Sequence, residues 1–104
     1  MVSRAYALDL KHMLTNISME SDQSMDSYLR SIKTIADALA AIQLPILDLE
    51  LIQLTAAGLP EDYDSFVTTY SMLLGSTSFD DLRSKLLFFE QCLKYKKDHS
   101  PFIH

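Results

Sequence analysis

Residues 24–44, SMDSYLRSIKTIADALAAIQL, constrain the fold more than any other stretch of the chain. Met25, Tyr28, Leu29, Ile32, Ile35, Ala36, Leu39 and Ile42 recur at three- and four-residue steps, which puts them on one face of an α-helix. Arg30, Lys33 and Asp37 take the opposite face, and neither Gly nor Pro interrupts the pattern. Ser24 is placed to cap the free amides of the first turn, and Asp26 adds negative charge at the positive end of the helix dipole. Ala36, Ala38, Ala40 and Ala41 favour a helix and let another element approach closely. A stripe of this length needs at least two further elements to cover it.

The rest of the chain supplies four more helical patterns. Residues 3–14 form the first, with Ser3 as a cap, but Ala5, Tyr6, Leu8, Leu10, Met13 and Leu14 spread around it and define its buried face poorly. The polar stretch 16–23, NISMESDQ, is a connection. Its Asn16-Ile17-Ser18 triplet matches a glycosylation acceptor, which has no consequence for a chain whose N-terminus lacks an apolar signal core. Pro45 breaks the central helix, and residues 48–57 form a short, almost wholly apolar helix expected to be buried on several sides. Gly58 is expected in the left-handed position that ends a helix, with Leu59 as the accompanying apolar contact. Pro60 opens a fourth helix over 60–74, carrying Glu61 and Asp62 in its first turn and Tyr63, Phe66, Val67, Tyr70 and Leu74 on its apolar face. Residues 75–77 are a loop, Ser78 with Asp81 resembles a capping box, and the last helix covers 79–97. There Phe79, Leu82, Leu86, Phe89 and Leu93 make an a/d seam little more than two heptads long, and Lys94, Lys96 and Lys97 lie at the negative end. Residues 98–104 are read as a flexible tail.

The expectation is thus an all-α, compact bundle of about five helices in a single domain over 1–97. Composition agrees: 48% hydrophobic residues suffice for a core in 104, while two Gly and three Pro disfavour a turn-rich β fold. A net charge of −5 is a poor start for binding a polyanion, and one cysteine allows no internal disulfide. No run reaches membrane-spanning length, and a cytoplasmic location is expected.

Chemistry finds little foothold. His12, His99, His104 and Cys92 match no zinc spacing, and nothing adjacent to Cys92 would activate a thiolate. Glu61, Asp62 and Asp64 are explained by their place in a first helical turn. There is no glycine-rich phosphate loop and no Asp-Thr-Gly or Asp-Ser-Gly motif. Lys94, Tyr95, Lys96 and Lys97 read as a solvated helix end rather than an RNA contact. The expectation is no catalysis, no cofactor and no metal.

Several stretches, taken in order, resemble the capsid region of Gag polyproteins from copia-type LTR retrotransposons of plants. They are SMDSYL at 24–29, Ile32-Lys33, IADALAAI at 35–42, GLPEDYDSFV at 58–67, FDDL at 79–82, and Leu86-Leu87 with Glu90-Gln91 and Leu93. The resemblance runs from about residue 3 to residue 93 and takes in Tyr28, Leu29, Ile32, Ile35, Leu39, Gly58, Leu59, Pro60, Tyr63 and Phe66 as motif core. Tyr28, Leu29 and Ile32 also resemble the end of the motif that opens the retroviral C-terminal capsid domain, although its Gln-Gly beginning is absent. Two departures are Gln43-Leu44, where a Gly or Ser turn is usual, and Ala56-Ala57, where a polar residue is common before the glycine.

What the resemblance implies is an all-helical, non-enzymatic module resembling the retroviral C-terminal capsid domain, which self-associates into dimers or higher capsid-like assemblies such as virus-like particles. RNA would be held downstream by a basic segment, not here. The residues expected at the contact between copies are Phe79, Leu82, Leu86, Leu87, Phe88, Phe89 and Leu93, because the last helix carries apolar residues on two faces. The alternative is a domesticated adaptor whose helical groove holds a peptide of a host protein.

Overall fold

The computed structural model describes residues 4–71 and 78–98, the side chains of Ser71 and Asp98 excepted. Five α-helices follow one another: α1 (Arg4–Thr15), α2 (Met25–Ala41), α3 (Asp48–Ala57), α4 (Asp64–Ser71) and α5 (Phe79–Asp98). Among the described residues there is no strand, and the expected all-α bundle of five helices is what the chain forms. Ser3 as a cap, the end of the fourth helix at Leu74, the loop at 75–77 and the tail beyond Asp98 lie outside the described residues.

α2 is the centre. Its stripe of Met25, Tyr28, Leu29, Ile32, Ile35 and Leu39 is buried, with α1 and α5 packed along it and α3 against one end. Ser24 caps it as its sequence suggests, its hydroxyl accepting from the Ser27 N–H at 3.1 Å. α1 contributes only Leu10 and Leu14 to the core and leaves Tyr6, Leu8 and Met13 in solvent. α3 is less buried than its apolar sequence suggests. It packs on one side through Leu51, Ile52 and Thr55, while Leu49 and Ala57 face outward.

The fourth helix departs from its expected start. Pro60 stays extended (ψ 169°), Glu61–Tyr63 form a 3-10 turn closed by the Tyr63 N–H to the Pro60 carbonyl at 2.9 Å, and α-helix begins only at Asp64. The tighter turn swings Tyr63 inward, where it is buried.

The two helix ends exchange roles. Gly58, expected to be left-handed, has φ −92° and ψ 2°. The left-handed residue is Gln43, at φ 64°. The Leu44 N–H bonds to the Leu39 carbonyl at 2.9 Å and the Gln43 N–H to the Ala40 carbonyl at 3.0 Å, the double closure of a Schellman end. A side chain at this φ strains the backbone by about 1 kcal/mol, which glycine avoids. Gln43→Gly is therefore expected to raise stability by roughly that amount, seen as a higher urea midpoint with an unchanged slope.

Two carboxylates cap helices far away in sequence. Glu90 on α5 accepts from the Met25 N–H, the first amide of α2, at 2.8 Å across 65 positions. Asp48, at the start of α3, accepts from the Phe79 N–H that opens α5, at 3.2 Å across 31 positions. Each places negative charge against the positive end of another helix, and together they tie α5 to α2 and to α3. Asp26 adds to the clamp, bonded to Arg83 of α5 at 2.9 Å and to Arg30 at 2.8 Å. Glu90→Ala should cost about 1–2 kcal/mol in urea denaturation, and Glu90→Gln, which keeps an acceptor, about half of that.

Candidate functional site

The sequence points to α5, and the structure divides that helix into two unlike faces. On the inner face, Phe79, Leu82 and Leu86 are buried in the chain's own core. These three of the seven expected contact residues are used within one copy. Leu87, Phe89 and Leu93 are half-buried. Phe89 stands in an aromatic cluster, 5.5 Å between ring centres from Tyr63 and 5.3 Å from Phe66, which itself stacks on Tyr70 at 5.4 Å. Of the seven, Phe88 is the one turned to solvent, 71% exposed. The same outer face carries Ser84, Cys92 and Tyr95, all exposed. Tyr95 was not among the expected contact residues, though it stands seven positions after Phe88, two turns along the same face.

Two concavities flank this helix. A groove of about 260 Å³ lies between α3 and α4, lined by Gln53, Ala56, Ala57, Leu59, Phe66, Val67, Tyr70 and Leu82. Apart from Gln53 and the Tyr70 hydroxyl its lining side chains are hydrocarbon. A shallower hollow beside Phe88 is bounded by Phe66, Asp81, Ser84, Lys85 and Phe89.

The motif residues prove to be architecture. Tyr28, Leu29, Ile32, Ile35 and Leu39 are the buried stripe of α2. Tyr28 donates its hydroxyl proton to the Thr55 carbonyl at 2.8 Å, and burial pushes its pKa up to about 12. Tyr63 is pushed up to about 12 as well, by burial first and then by the negative charges of Glu90 and Asp62. Gly58 lies beneath Tyr28 and against the connection between α1 and α2. Its carbonyl accepts from the Met19 N–H at 2.9 Å, and a Cβ there would overlap the Tyr28 hydroxyl and the Ile17 carbonyl. Leu59 and Pro60 complete the turn, and Phe66 leads into the aromatic cluster.

Among the described residues no three His, Cys, Asp or Glu side chains gather as metal ligands, and no buried side-chain nitrogen or oxygen lacks a partner. No helix among them is long and apolar enough to cross a membrane. What the surface offers is apolar area on α5 and in the α3–α4 groove.

The family model described as gag-polypeptide of LTR copia-type matches residues 2–99. The chain belongs to the copia-type Gag family. No curated protein and no solved structure matches it. The copia-type Gag polypeptide is a structural, non-catalytic region, and the match supports a Gag capsid-like domain here. Within this domain α2 supplies the covered stripe, Gly58 the close approach, and Glu90 a cap on α2.

Proposed function

We propose that this Gag domain is a self-association module whose copies bury one another's leftover apolar surface. The observation that carries the reading is the outer face of α5, where Phe88 is 71% and Tyr95 66% exposed on a helix whose inner face already fills the core. Large aromatic side chains set on one line of a surface mark contact sites more often than chance exposure does. Exposed Leu8 and Met13 on α1 and Leu44, Leu47 and Leu49 around the start of α3 add apolar area for further contacts in a larger assembly.

Light scattering at tens of micromolar should give twice the 11.8 kDa mass of the chain. Phe88→Asp should return it to the monomer without changing helical content, because Phe88 is 71% exposed and outside the core of its own copy. Phe89→Asp should instead unfold the chain, since it would put a charge into the Tyr63–Phe66 cluster. A strictly monomeric wild type at high concentration overturns the reading.

One observation favours a second reading. The groove lined by Ala56, Ala57, Leu59 and Val67 is open and nearly free of polar atoms, which suits the apolar side of a peptide from a host protein. A monomeric wild type that binds such a peptide, and loses it on Ala57→Arg, would favour the adaptor.

A further inference from the structure

We infer that two copies pair through α5 in antiparallel register, with the two-fold axis passing at Phe88; this rests on the self-association proposed above. At 3.6 residues per turn, Asp81, Ser84, Phe88, Cys92 and Tyr95 fall within about 40° of a single line along the helix. That line is opposite the core-facing Phe79, Leu82 and Leu86. A two-fold axis at Phe88 sets each residue against the one equally far on its other side, which gives a specific set of partners. Phe88 meets Phe88 of the second copy on the axis. Ser84 meets Cys92, two small side chains that allow close approach. Asp80 meets Lys96, one further step along the same i, i+4 row.

The charges select the orientation. α5 is acidic in its first turn (Asp80, Asp81) and basic in its last (Lys96, Lys97). Antiparallel pairing brings opposite ends together, while parallel pairing would set carboxylate on carboxylate and ammonium on ammonium. The helix dipole alone accounts for those charges. It does not account for an exposed phenylalanine at the midpoint between them, or for a tyrosine on the same line.

The test uses the native Cys92, which is exposed and free. Ser84→Cys should convert most of the protein to a covalent dimer under mild oxidation, because positions 84 and 92 face each other across the axis. The wild type should stay uncrosslinked, since its two Cys92 residues would stand about 12 Å apart along the helix, beyond disulfide reach. Charge reversal gives an independent reading. Asp80→Lys or Lys96→Asp should each weaken the dimer about tenfold, as the two-fold doubles every pair, and the two together should restore it to within about threefold. Circular dichroism checks that these surface variants stay folded. A dimer that neither crosslinks through Ser84→Cys nor responds to either reversal defeats this register but leaves self-association standing. A wild type that stays monomeric at several hundred micromolar removes both.

Discussion

Tyr28→Ala is expected to cost about 4 kcal/mol, the range for removing a large buried aromatic ring. Tyr28 is 0% exposed in the first turn of α2, and its hydroxyl ends on the Thr55 carbonyl near the close of α3. The substitution leaves a cavity between α2 and α3 and takes the tyrosine donor from that carbonyl. A domain of this size holds roughly 5–15 kcal/mol in total, so the loss should lower the melting temperature by on the order of 20 °C. Tyr28→Phe separates the two contributions. It keeps the ring and loses the bond, and should cost about 1 kcal/mol.

Alkali tests the same residue. The folded pKa of Tyr28 is raised from 10.0 to about 12, and that of Tyr63 likewise. A raised value means that the folded state holds the proton more tightly than the unfolded chain does. The stability tied to each phenol is therefore fully present below pH 10, and is lost as pH rises through the folded value near 12. Melting temperatures followed by circular dichroism from pH 8 upward should fall between those two values. In Tyr28→Phe the fall should be shallower, with the share of Tyr63 remaining. An identical alkaline fall in the variant would show that Tyr28 is not the group being titrated.

Gly58→Ala is the second large effect, expected at about 3 kcal/mol, as overpacking against backbone costs. Its backbone at φ −92° is open to any residue, so a substitution brings no left-handed strain. The cost arises wholly from the methyl group, which would meet the Tyr28 hydroxyl and the Ile17 carbonyl. Urea denaturation of Gly58→Ala, Tyr28→Phe and the double variant distinguishes the two roles open to this glycine. If close approach is the cause, the double variant costs less than the sum, since removing the hydroxyl makes room for the methyl. If the glycine served only its helix end, the single variant would cost less than about 1 kcal/mol and the two changes would add.

These cases mark how far the linear chain could be read. Its Gly-Leu-Pro after a short apolar helix was legible as a helix end, but the reason for the glycine was not. Nothing in residues 48–60 tells that Ile17 and Tyr28 press on Gly58 from elsewhere. The same holds for α5. Its seam and its second apolar face could both be seen, but Phe79, Leu82 and Leu86 went to the core, and Phe88 and Tyr95 were left outside. A count of apolar residues could not make that division, because α5 chooses its inward side only when it meets α2 and α3.

Local periodicity and capping settled five helices, the burial of one face of α2 and the Ser24 cap, since each depends on residues within four positions of one another. The tertiary structure alone decided that Glu90 would close α2, that Asp48 would close α5, and that Gln43 rather than Gly58 would take the left-handed turn. Carboxylates reach distant helix ends only when packing brings those ends near. Pro45 announced that α2 must end, but the left-handed residue fell at Gln43 because there the Gln43 and Leu44 amides close on the Ala40 and Leu39 carbonyls.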